Sequence, residues 1–87
     1  MIETYEYIPI GVCSKKMTFK IKNDNIIEFN VVGGCSGNLQ GITKLITNRN
    51  VNEVIELLHG IKCNFKNTSC PDQIAEALIK FKNKRSI

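Results

Sequence analysis

Residues 17–32, Met17-Thr18-Phe19-Lys20-Ile21-Lys22-Asn23-Asp24-Asn25-Ile26-Ile27-Glu28-Phe29-Asn30-Val31-Val32, carry the pattern on which the fold turns. Met17, Phe19 and Ile21 alternate with Thr18, Lys20 and Lys22, the period of a strand with one apolar and one polar face. Asn23-Asp24-Asn25 is turn chemistry, because these side chains bond their own backbone and tolerate left-handed angles. Ile27, Phe29 and Val31 then alternate against Glu28 and Asn30. The stretch reads as a β-hairpin, buried on one side and wet on the other.

Upstream, Tyr5 to Ile10 supplies a third strand, and Pro9 marks it as an edge or a strand end. Downstream of Val32 the period changes. Leu39, Ile42, Leu45 and Ile46 recur at helical spacing, which predicts a helix from about Asn38. Asn48-Arg49-Asn50 is a polar turn, with Asn50 as N-cap of the next helix and Glu53 in the matching capping-box position. Val54, Leu57 and Leu58 form that helix's buried stripe, and Gly60 ends it in a left-handed conformation. Ser69-Cys70-Pro71-Asp72 starts the last helix with a cap, an early proline and a first-turn acid. Its apolar face is Ile74, Ala75, Leu78 and Phe81, with Ile79. Strands followed by helices give an α+β fold: an antiparallel sheet of about three strands with three helices packed on one face. Residues 1–87 make a single domain.

Apolar residues are 43% of the chain, enough for a core and too many for disorder. A core of this size is marginal, and small domains add a metal, a disulfide or an oligomer interface to hold together. The net charge of +4 is spread over scattered lysines and concentrated only at Lys80 to Arg85, where cations complement a helix end. No aromatic residues interleave with the basic ones, which argues against nucleic-acid binding. No apolar run approaches the roughly eighteen residues of a membrane span, and Met1-Ile2-Glu3-Thr4 lacks the pattern of a signal peptide. The expectation is a soluble cytoplasmic protein. In that compartment four cysteines are metal ligands, reactive thiols or buried residues rather than disulfides.

Cys13, Cys35, Cys63 and Cys70 all fall at element ends, away from the apolar stripes. If the hairpin turn centres on Asp24, Met17 pairs with Val31, and the same register extended places Cys13 opposite Cys35. Cys35 sits in Gly33-Gly34-Cys35-Ser36-Gly37, a strand-to-helix loop, and Cys70 opens the last helix. Helix N-termini favour thiolates. Three readings stay open: metal binding by the four cysteines, thiol redox chemistry at Cys35 and Cys70, and buried cysteines without chemistry. The absence of a Cys-x-x-Cys pair leaves the signal positional. Gly33, Gly34, Ser36 and Gly37 also form a candidate anion or nucleotide loop, although glycines that merely turn strand into helix explain it equally. His59 reads as a residue complementing its helix end. Ser14, Ser36 and Ser69 have no histidine base near them in sequence, which speaks against a serine nucleophile.

Thr68-Ser69-Cys70-Pro71-Asp72 spells the signature of the TSCPD family, and Gly33-Gly34-Cys35-Ser36-Gly37-Asn38-Leu39-Gln40-Gly41-Ile42 resembles that family's other characteristic segment. Gly11-Val12-Cys13-Ser14 and Gly60-Ile61-Lys62-Cys63 extend the resemblance over nearly the whole chain. It implies a small bacterial protein, or the related domain near the C-terminus of adenosylcobalamin-dependent ribonucleotide reductases. A ribonucleotide reductase, or another protein partner, is therefore implied. The reductase reaction itself needs a radical-generating cofactor site and a large barrel, which 87 residues do not hold, so a complete enzyme is not expected. The order of Cys13, Cys35 and Cys70 about a hairpin is also similar to NifU-type iron–sulphur scaffold proteins. That likeness implies a NifU-like fold and a zinc or iron–sulphur site. Lys15 and Ser69 stand where the scaffolds usually have an acid and a histidine, and Cys63 can supply the missing ligand.

Overall fold

A computed structural model describes residues 2–34, 36–62 and 67–85, without the side chains of 36–38 and 85. Three strands, β1 (Glu3–Tyr7), β2 (Ser14–Lys22) and β3 (Asn25–Gly33), precede three helices, α1 (Ser36–Ile46), α2 (Val51–Leu58) and α3 (Cys70–Arg85). The strands form an antiparallel sheet in the order β1-β2-β3. This is the α+β order expected from the sequence.

Asn23 and Asp24, at φ 52° and 64°, make the hairpin turn between the paired residues Lys22 and Asn25. Two left-handed residues in a two-residue loop match the right-handed twist of the strands. One residue farther along, the register slips between Lys20 and Ile21: Ile21 faces Ile26, whereas Lys20 faces Glu28. The bulge carries Ile27 as the extra residue. It turns Ile26 and Phe29 into the core and leaves Ile27 half-buried, which the simple alternation from Ile27 does not capture. Because of the slip, Met17 pairs with Val31 as expected.

A second irregularity lies between Ser14 and Lys16. Lys16 faces Val32, but Ser14 faces Gly33, and the ladder ends there. The extrapolated register thus shifts by one residue at this bulge, and Cys35, with the pairing expected for it, lies outside the described residues.

Rows of side chains cross the sheet on its inner face: Tyr5, Phe19 and Phe29 in one row, Tyr7, Met17 and Val31 in the next. Phe19 stacks at 4.9 Å from Phe29, and Tyr5 meets Phe81 of α3 edge-on at 5.6 Å. Ile46 of α1, Val51 and Val54 of α2, and Ile74, Ala77 and Leu78 of α3 close the same cluster. Burying each large apolar side chain contributes roughly 1.5–3 kcal/mol before entropy is subtracted. The outer face is polar, with Lys20 near Glu28 at 3.6 Å and Lys16 near Glu6 at 3.1 Å. These pairs are exposed and add little.

Helix α1 begins at Ser36, two residues earlier than its apolar pattern suggests. Helix α2 has Asn50 as its N-cap, with Oδ1 accepting from the N–H of Asn52, while Glu53 pairs with Arg49 instead of completing a box. Gly60 takes φ +88° just beyond it. None of the described helices is long and apolar enough to cross a membrane.

Candidate functional site

The start of α3 is built from a run of polar side chains, each with a separate task. Ser69 is the N-cap: its Oγ accepts from the N–H of Asp72 at 3.2 Å, and its carbonyl takes the N–H of Gln73. The same hydroxyl donates to the carbonyl of Ile61 at 2.6 Å. Asp72, also in the first turn, accepts from the N–H of Gly60 at 2.7 Å and from Thr68 Oγ1 at 2.6 Å. Both ends of the connection from α2 to α3 are thereby tied to one helical turn. Burial favours the neutral carboxyl of Asp72, but the bonds from Thr68 and Gly60, with the positive charges of His59 and Lys62, prevail. The net effect holds its pKa below the ordinary value of 3.8.

Gln73 fastens the opposite side. Its Oε1 accepts from Tyr7 Oη at 3.1 Å and from the N–H of Ile10 at 3.0 Å, and its Nε2 donates to Thr68 Oγ1 at 2.9 Å. Gly11, at φ +75°, passes so near Thr68 that a Cβ there would lie 3.3 Å from the threonine methyl. The β1–β2 connection, which carries Cys13, is thus stitched to the same turn.

Cys70 occupies the first helical position, and its Sγ lies 3.1 Å from Ser14 Oγ. Ser14 is buried, and Gly34 packs on it. A Cβ on Gly34 would sit 2.9 Å from Ser14 Oγ and 2.6 Å from Leu39 Cδ1, and its φ is +81°. Only glycine fits such a close, left-handed crossing. Gly33, also at φ +81°, approaches the carbonyl of Cys13 in the same way. Packing therefore accounts for both glycines, without appeal to an anion.

The TSCPD domain model matches residues 2–82, nearly the whole chain. The chain belongs to the TSCPD family. No curated protein and no solved structure matches it, and a NifU-like fold in particular has no support from these comparisons.

Of the expected TSCPD sulphur set, Cys70 is half-buried, Cys13 is exposed, and both thiols are free. Cys35 and Cys63 lie outside the described residues, as do the side chains of Ser36 and Asn38; Ser36 and Gly37 contribute backbone to the first turn of α1. Among the described residues, which include Cys13 and Cys70 but neither Cys35 nor Cys63, no three His, Cys, Asp or Glu side chains gather closely enough to hold a metal. What the fold brings together is Ser14, next to Cys13; Gly34, next to Cys35; and Cys70 itself.

Reading the sequence for ligands passes over Gln73 and Ser14. Gln73 follows the signature directly, and a buried amide in a helix's first turn has to find partners. Ser14, dismissed as a nucleophile, serves as the contact of the one described thiol that points inward.

Proposed function

We propose that this TSCPD domain is a thiolate metal-binding module in which Cys13, Cys35, Cys63 and Cys70 hold zinc or an iron–sulphur cluster. The observation that carries the reading is the shared point of Ser14, Gly34 and Cys70, where the Ser14 hydroxyl meets the sulphur at 3.1 Å and Gly34 packs on Ser14. Chain segments adjoining two of the other cysteines converge on Cys70. The bond from Ser69 to Ile61 anchors the start of the segment that leads to Cys63.

The donor chemistry fits. Sulphur ligands suit zinc and iron–sulphur clusters, a serine hydroxyl can donate to a bound thiolate, and a helix N-terminus favours its charge. A closed zinc site would also stabilise a core of marginal size. Under this reading the domain serves a ribonucleotide reductase as an accessory and does not itself carry out the reduction.

Protein purified without oxygen tests the reading through metal analysis and visible absorbance. Near-stoichiometric zinc, or a cluster absorbance, that disappears in Cys70→Ser with the fold retained is the expected result. A folded, metal-free protein with four titratable thiols would overturn it and leave thiol redox chemistry as the better account.

A further inference from the structure

Beta3 lies at the edge of the sheet, and its outer side is used unevenly. Near the hairpin, Ile26 exchanges backbone bonds with Asn48 and Arg49, and Asn25 bridges to Asn50. From Phe29 to Gly33 no backbone partner covers that side among the described residues. A cleft of about 580 Å³ lies there, between β3 and α1. It touches Asn30, Val31 and Gly33 of the strand and Gln40, Thr43 and Lys44 of the helix. Adjacent strand residues point to opposite faces, so a cleft touching both Asn30 and Val31 meets the strand along its edge.

The two edges of the sheet differ in their defences. Strand β1 carries Glu3 and Glu6 and is followed by Pro9, the charges and proline that keep edges from recruiting strangers. Residues 29–33 of β3, Phe-Asn-Val-Val-Gly, carry neither, and Val32 is 58% exposed. The cleft's charged wall is Lys44, which has no carboxylate partner among the described residues.

We infer that this cleft receives an extended peptide segment bearing acidic side chains, which adds to β3 as a fourth strand and sets a carboxylate against Lys44. Main-chain bonds to the edge supply the affinity, and the lysine supplies the preference. A second copy of this chain fits less well, because residues 29–33 of its own β3 carry no carboxylate to set against Lys44. The inference is independent of any metal at the cysteines.

The test uses the full chain and a short capped peptide alternating valine and glutamate, with its lysine-for-glutamate counterpart as control. Amide shifts and hydrogen exchange are followed by NMR. The expected result is shifts confined to 29–33 and the facing side of α1, slowed exchange of β3 amides, and about tenfold weaker binding of the lysine peptide, equivalent to ~1.4 kcal/mol. Lys44→Glu, checked for retained fold by circular dichroism, reverses the preference. Absence of β3 shifts at millimolar peptide would overturn the proposal. Equal binding of both peptides would overturn the acidic partner. Concentration-dependent protection of the same amides without peptide would assign the edge to a second copy instead.

Discussion

The two ends of the β2–β3 ribbon are tied down by different parts of the chain. At the hairpin end the bonds are backbone to backbone: Ile26 N–H to the Arg49 carbonyl at 2.9 Å, Asn48 N–H to the Ile26 carbonyl at 2.6 Å, and Val51 N–H to the Asp24 carbonyl at 2.8 Å. At the cysteine end the work falls to side chains, those of Thr68, Ser69, Asp72, Gln73 and Ser14. Backbone bonds survive substitution of the residues that make them, whereas side-chain bonds do not. The difference explains in physical terms why a recognisable signature such as Thr-Ser-Cys-Pro-Asp belongs at this end. Four of its five residues have structural duties or helix-start chemistry, and Cys70 alone presents a reactive atom.

The largest expected effect comes from Gly34. Gly34→Ala combines left-handed strain, about 1–2 kcal/mol, with overpacking against Ser14 and Leu39, about 1–3 kcal/mol, for a loss near 3 kcal/mol in urea unfolding. Gly60→Ala is the matched control. It has the same sign of φ but open space around the added carbon, so only the strain is paid. Equal losses at the two glycines would break the claim that the cysteine end is the tightly packed one.

Gln73→Ala comes next, at about 1–3 kcal/mol, because it strands the buried Tyr7 hydroxyl and gives up the part-buried bond from the Ile10 N–H. Tyr7→Phe made in the same background should recover part of that loss by removing one stranded group. A double-mutant cycle reads the coupling directly.

Much of this architecture is legible in the sequence. Alternation around the hairpin, the period change after Val32 and the start signals at Ser69 give the element order, because each rests on local chemistry. Register is less legible, since the bulges at Lys15 and Ile27 depend on how the sheet twists against the helices, and neither residue announces itself. At the site, the grouping of loops follows from topology, but the partners do not. Gln73 reaches across 63 positions to Ile10, and Ser14 across 56 to Cys70. Sequence spacing says nothing about contacts of that range.

Acid should separate the two ends as well. The unfolded chain protonates Asp72 near the ordinary carboxylate value of 3.8, while the folded chain resists until lower pH. The unfolded state thus binds more protons, so the stabilisation is complete above that value and is lost as pH falls through the folded pKa. Urea midpoints measured from pH 6 downward should fall less steeply for Asp72→Asn than for the wild type. Parallel slopes would mean that the carboxylate contributes nothing as an anion.

The smallest effects test the comparison most finely, because the two helix caps form a natural pair. Ser69 is buried and its hydroxyl serves two groups, the N–H of Asp72 and the carbonyl of Ile61. Asn50 is exposed, and its carbonyl oxygen caps only the N–H of Asn52. Replacing a cap by alanine costs about 1 kcal/mol, and giving up the part-buried bond to the Ile61 carbonyl adds about as much again. Ser69→Ala should therefore lose roughly 2 kcal/mol and Asn50→Ala roughly 1 kcal/mol. Arg49→Ala, which keeps its carbonyl on Ile26 and gives up an exposed pair with Glu53 and an exposed bond from its Nε to the Leu45 carbonyl, should lose no more than about 1 kcal/mol. If Arg49→Ala matched Ser69→Ala, side chains would be holding the hairpin end too, and the division between backbone-tied and side-chain-tied ends would fail.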